Sequence, residues 1–188
     1  MIKTITFISD FRTFKNKETY TLQPGVNLLV GDQGSGKSSL ISELRKLSEG
    51  NKSSHIKIDV VGPVKVFSMD FEKDTPRSAS HIESMEQVLT KFASHGEVNN
   101  LMLRSMPAVG KNVIVILDEP DTALSIRSCI ALVDQLKKAE QAGAQIICAV
   151  HNPVVIEAFD SVVSLEHKKI MSSKDFIKSQ QKPRKKSK

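Results

Sequence analysis

The sequence predicts an α/β fold, a mostly parallel sheet flanked by helices and preceded by an antiparallel β part. Three observations predict it. Val113–Leu117 and Gln145–Val150 are short apolar runs without alternation, the pattern of strands buried on both faces of a parallel sheet. The segment between them carries Ile126, Cys129, Ile130, Val133 and Leu136 at helical spacing and closes at Gly143, so residues 113–150 read as one β-α-β unit. Upstream, Val26–Val30 leads through a glycine-rich loop into a helix from about Lys37 to Leu47, again strand then helix.

The remaining elements follow in order. Lys3–Ser9 alternates apolar and polar residues, and Glu18–Leu22 is a second strand able to pair with it. Pro24-Gly25 turns the chain into Val26. After the polar break Asn51–Ser54, Ile56–Val61 and Val64–Phe71 read as strands with a Gly62-Pro63 turn between them. Ile82, Met85, Leu89 and Phe92 mark one helix face; Val98, Leu101, Met102 and Met106 mark another, which Pro107 ends. Together they predict a small helical subdomain over about 78–108. Ser161–Leu165 is a further strand. No internal repeat or long heptad run is present.

A chain of 188 residues with 39% hydrophobic residues suits one domain, expected over 1–177. Tyr20 is the only tyrosine and tryptophan is absent, so the core rests on Ile, Leu, Val, Phe and Met. The net charge of +6 is carried entirely by the last eleven residues, which hold six basic and no acidic side chains. That stretch, 178–188, is expected to be a disordered basic tail, either a solubilising terminus or an attractor of DNA or RNA phosphates. Cys129 and Cys148 sit in apolar stretches and read as buried thiols of a reducing compartment. With no signal pattern and no apolar run near the roughly 20 residues that span a bilayer, a soluble, cytoplasmic chain with no membrane partner is expected.

Chemistry concentrates in two places. Gly31-Asp32-Gln33-Gly34-Ser35-Gly36-Lys37-Ser38 fits G-x-x-x-x-G-K-[ST] at every fixed position, with a strand before it and a helix after it. Its glycines let backbone N–H groups, on through Ser39, turn toward phosphate oxygens. Lys37 is placed to reach the β- and γ-phosphates, Ser38 to give a hydroxyl to Mg²⁺, and the helix adds the positive end of its dipole. The strand Val113–Leu117 ends in Asp118-Glu119-Pro120. Carboxylates at that end of a parallel strand lie where ligands collect. Asp118 is expected to hold Mg²⁺ through water, leaving Glu119 to polarise the water that attacks in line with the γ-phosphate. A small-molecule kinase needs no such second acid, because its nucleophile arrives with the substrate.

Read in order, these residues resemble the ATP-binding-cassette (ABC) ATPase superfamily of P-loop NTPases, most closely its soluble chromosome-maintenance and recombination-repair branch. The residues that carry the resemblance are Asp10-Phe11-Arg12-Thr13-Phe14, Pro24-Gly25-Val26-Asn27 and the loop from Gly31. Ser94-His95-Gly96-Glu97 is similar to a shortened cassette signature. The resemblance implies that Ser94, Gly96 and Glu97 of one subunit close over ATP held by the other, in a head-to-tail homodimer. It also implies that His151, directly after the strand 145–150, is the switch histidine that bonds the γ-phosphate. Phe71–Arg77 with the Ser-His-Gly-Glu segment resembles a group of small predicted AAA/ABC-type ATPases of unsettled function. The resemblance spans roughly 1–166.

The chain departs from the family pattern at several points. No glutamine lies between Gln33 and Gln87 to sense Mg²⁺ and water, which leaves Asp70 or Glu72 as substitutes. Ser125 stands where transporter cassettes often carry a dimer-contacting aspartate. The 56 positions between Lys37 and Ser94 leave no room for long coiled-coil arms. Phe11, Phe14 and Tyr20 are the aromatic candidates for the base, so the choice of adenine over guanine stays open. The leading expectation is an ATPase dimer acting on nucleic acid, alone or with an effector protein. A nucleotide-gated protein switch and, behind it, a transporter's energising subunit are the alternatives.

Overall fold

The computed structural model describes residues 1–71 and 109–181. The expected helices within 82–106, and with them Ser94, Gly96 and Glu97, lie outside the described residues.

Two sheets form. Strands β1 (Ile2–Phe7), β2 (Thr19–Thr21) and β4 (Ile56–Val60) make a three-stranded antiparallel sheet with β1 at its centre. The second sheet has six strands. These are β3 (Val26–Val30), β5 (Lys65–Asp70), β6 (Val113–Asp118), β7 (Gln145–Ala149), β8 (Ser161–Ser164) and β9 (Lys169–Ser172). Their order is β5-β6-β7-β3-β8-β9, parallel throughout except for the last pair. The helices are α1 (Lys37–Ser48), α2 (Ile126–Gln141), α3 (Pro153–Glu157) and α4 (Ser173–Gln180).

The unbroken apolar runs sort by parity, as the two-residue period of a strand requires. In β6, Ile114 and Ile116 face a core shared with α1 and the antiparallel sheet, while Val115 and Leu117 face a core shared with α2. In β7, Ile147 and Ala149 join the first core, Ile146 and Cys148 the second. Both cysteines are buried free thiols, and burial, with the Asp121 carboxylate adding to it, pushes each above the ordinary thiol value.

Among the described residues, the boundaries of the elements expected from the sequence hold to within two residues. The Gly62-Pro63 turn, however, joins strands of different sheets: β4 pairs with β1, whereas β5 pairs with β6. Beyond β8 the chain adds β9 and α4, neither of them expected from the sequence pattern. Ser172 caps α4 by accepting from the Asp175 N–H, and Phe176 anchors it in the core. The stretch expected as a tail from residue 178 therefore begins helical, through Gln180. Among the described residues no helix is long and apolar enough to cross a membrane.

One polar side chain ties the two sheets together. Gln145, 1% exposed, accepts from the Ile2 N–H at 2.8 Å and donates to the carbonyls of Ile2 at 2.8 Å and Gln23 at 3.0 Å. Gln145→Leu strands those buried backbone groups, so a loss of about 2–4 kcal/mol is expected in urea unfolding, with the secondary structure intact.

Candidate nucleotide site

The site forms because β3, β6 and β7 run parallel in a register that brings their ends level. Leu29 lies opposite Ala149, and Ala149 opposite Asp118. The loops that follow the three strands carry Gly31–Ser39, Asp118–Asp121 and His151. They meet in a cleft of about 510 Å³ lined by Arg12, Thr13, Gln33, Gly34, Gly36, Lys37, Ser38, Ser39, Glu119 and His151.

The loop's shape depends on glycine at two positions for different reasons. Gly34 has φ +80° with open space around it, so only the backbone angle excludes a side chain. Gly36 has φ +99°, and a Cβ there would lie 2.6 Å from Thr13 Oγ1 and 2.7 Å from the Phe14 ring. The antiparallel sheet thus presses on the phosphate loop from behind. Thr13 Oγ1 donates to the Ser35 carbonyl at 3.3 Å, and Arg12 Nη1 donates to Ser39 Oγ at 2.9 Å.

Lys37 is 4% exposed, and its Nζ donates to the carbonyls of Gly31 at 2.8 Å and Asp32 at 3.1 Å. Burial pushes its ammonium below the ordinary lysine value, and Glu119, Asp118, Asp32 and Asp121 pull it part of the way back. Four carboxylates facing one buried ammonium repel a bare polyphosphate. The cleft therefore suits a triphosphate that brings a divalent cation. The donor set fits such an ion: Ser38 Oγ donates to Asp118 Oδ1 at 3.4 Å, a hydroxyl and a carboxylate side by side at the phosphate loop. Ser35 Oγ is buried in the same loop with no hydrogen-bond partner among the described residues, a polar atom left for a ligand.

Glu119 sits at φ +52°, a left-handed conformation that costs a non-glycine residue about 1–3 kcal/mol. Its N–H continues the sheet by donating to the Ala149 carbonyl at 3.1 Å. Its carboxylate meets His151: Glu119 Oε1 and His151 Nε2 are 2.8 Å apart, and Thr122 Oγ1 donates to Glu119 Oε2 at 3.3 Å. His151 is exposed, on the cleft wall.

The structure thus brings together Gln33–Ser39, Asp118, Glu119 and His151. Gly31 and Asp32 stand at the loop's entrance and line neighbouring hollows. Phe14 and Tyr20 are corrected as base partners. They are 1% and 2% exposed, and Phe14 stacks on Phe7 with centroids 4.1 Å apart, so their faces are spent on the core. Phe11 is half-buried and stacks on His55 at 4.2 Å. Asp70 is engaged by Arg45 at 3.1 Å; Glu72 lies outside the described residues. Ser125 caps α2, accepting from the Ser128 N–H at 3.2 Å. Arg12 and Thr13 were legible as part of the family-like segment but not as cleft residues, because only sheet packing brings them there.

With a phosphate-loop motif, an acidic pair and a histidine at the carboxyl edge of its sheet, the chain has the fold of P-loop, ABC-type ATPase nucleotide-binding domains. The chain belongs to the AAA domain family AAA_23, whose model matches residues 7–187. In fold it is similar to the ATP-binding cassette MJ0796, solved as a dimer in a post-hydrolysis state with ADP and Pi. That match has TM-score 0.55 and 13% identity, covering 92% of this chain and 97% of that one. It is also similar to cbiO1 from Clostridium perfringens, part of the ABC transporter complex cbiONQ, with TM-score 0.52 and 14% identity over 88% and 84% of the two chains. Among curated sequences, the ATP-dependent permease PDR11 of Saccharomyces cerevisiae is 24% identical over 85% of this chain. The ABC multidrug transporter atrF of Aspergillus flavus is 37% identical over 31% of it. The chain spans only 14% and 4% of the lengths of those two relatives.

Two substitutions separate charge from shape in this cleft. Lys37→Ala is expected to weaken ATP binding by at least about 100-fold in a fluorescent-nucleotide titration, since it leaves the carboxylates unopposed. Gly36→Ala is expected to weaken binding comparably and also to lower the unfolding midpoint, because Thr13 and Phe14 must move.

Proposed function

We propose that this chain hydrolyses Mg·ATP, closing as a homodimer on ATP and reopening after hydrolysis, and that the cycle acts on nucleic acid or on a nucleic-acid-processing effector. The observation that carries the hydrolytic part is the convergence of Lys37, the Ser38–Asp118 pair and the Glu119–His151 pair on one cleft. Incoming phosphates take the Lys37 ammonium from the Gly31 and Asp32 carbonyls. Ser38 and Asp118 are the residues that hold Mg²⁺, which neutralises phosphate charge when bound. His151 turns to the γ-phosphate and so frees the Glu119 carboxylate to polarise the attacking water. Ser94, Gly96 and Glu97 are assigned the γ-phosphate of the partner subunit.

The nucleic-acid part is supported by the chromosome-maintenance-like Asp10–Phe14 segment and by the placement of the chain's whole net positive charge in residues 178–188. A second reading, coupling to a membrane partner, is favoured by the transporter relatives that align over most of this chain. The two differ in their salt response: only the first predicts DNA or RNA affinity that falls steeply with ionic strength.

Glu119→Gln is expected to lower turnover by about 100-fold or more while ATP still binds. Sized by light scattering in saturating Mg·ATP, it is expected as a dimer, and Ser94→Arg as a monomer that binds ATP. A Glu119→Gln protein that stays monomeric contradicts the dimer. Removing residues 182–188, which leaves α4 whole, is expected to reduce duplex or single-strand binding at low salt; unchanged binding contradicts the role given to the tail.

A further inference from the structure

Asp121 enters the chemistry above only through its charge near Lys37 and does not line the cleft, yet it is 4% exposed, three residues beyond Asp118 in the turn between β6 and α2. A carboxylate taken out of water costs several kcal/mol unless hydrogen bonds offset the loss. Here Oδ2 accepts two backbone N–H groups, from His151 at 2.7 Å and Asn152 at 2.5 Å. Charge-assisted bonds of that length are the strong kind. Oδ1 is buried and has no hydrogen-bond partner among the described residues. The two amides belong to the turn between β7 and α3, where the Asn152 side chain caps α3 by accepting from the Val154 N–H.

We propose that Asp121 is a positioning residue for His151: it clamps the backbone from which the imidazole projects, and so sets the ring's reach to Glu119 and to the γ-phosphate. The proposal rests on the hydrolytic reading above. Two loops are joined twice, once at the surface by the Glu119–His151 side chains and once beneath it by Asp121 and the His151 and Asn152 amides. The surface link must break for His151 to reach a phosphate. The buried link need not, because it uses main-chain atoms and leaves the ring free to rotate. A histidine side chain has only two torsions, so its Cα position decides where the ring nitrogen falls. A backbone shift of about 1 Å takes a 2.8 Å hydrogen bond past its useful length and can cost about 100-fold in rate. The Asp121 carboxylate does not line the cleft; it acts through the His151 main chain.

A carboxylate serving only the fold would give a different pattern in three measurements. In hydrogen exchange of the full chain, the His151 and Asn152 amides are expected to exchange at least about 10-fold faster in Asp121→Ala than in the native protein. Unchanged exchange overturns the clamp. In steady-state hydrolysis, Asp121→Ala is expected to lower kcat about 10- to 100-fold with ATP affinity held within about 3-fold. Introduced into His151→Ala, it is expected to lower kcat by less than about 2-fold, because the group it positions is gone. A full additional loss in that background overturns the proposal. Asp121→Asn retains an acceptor oxygen and is expected to recover most of the rate; Asp121→Leu, which fills the buried space with no acceptor, replaces Asp121→Ala in all three measurements should the latter fail to fold. A native protein without hydrolysis would overturn the proposed function instead, and amide exchange would still decide the clamp.

Discussion

Adjacent strands of a parallel sheet direct all their carboxyl ends to one edge, and this constraint is what the rest of the molecule depends on. Hydrogen bonding holds β3 to β7 and β7 to β6 in a register that ends the three strands level. Each then hands a loop to the same small volume. A one-residue slip of β6 would exchange its two faces, turning Asp118 away and putting Ile114 and Ile116 into the wrong core. The apolar parity of the strands therefore fixes the chemistry as firmly as it fixes the packing.

The electrostatics of the cleft are a consequence of that convergence. Lys37, Asp118, Glu119 and Asp121 are drawn close by strands whose buried faces are mostly apolar, and the charged groups must balance one another. Burial alone would drive Lys37 toward its neutral form, and the neighbouring carboxylates oppose this. The carboxylates in turn are shared out. Asp118 meets Ser38, Glu119 meets His151 and Thr122, and Asp121 meets two backbone amides. In such a set, a change at one partner is felt by the others.

The antiparallel sheet acts on this site without supplying catalytic groups. Its Phe14 closes the space behind Gly36, its Arg12 fastens Ser39, and Gln145 locks its central strand to β7. The phosphate loop is thus held from outside the parallel sheet as well as from within it. Departures from a simple cassette pattern take physical form here too. Ser125, where an aspartate is often found, caps a helix, while the acidic residue of that turn, Asp121, faces inward.

What the sequence determined by itself is what short-range pattern encodes. The glycine-bounded loop, the unalternating runs 113–117 and 145–150 and the helix between them, and the acidic pair with the histidine after their strands, all depend on neighbours within a few residues. The strand β9 and helix α4 escaped that reading because Lys169–Ser172 is short and only half-buried, and because α4 is held by Phe176 in a distant core. Tertiary structure alone decided which sheet receives β4 and which β5, that Arg12 and Thr13 reach the phosphate loop, and that Asp121 grips the amides beside His151. These are contacts between residues 22 to 31 positions apart or between whole sheets. Such contacts form only after the strands have chosen their order, and strand order is set by the burial of the whole core rather than by any local run of residues.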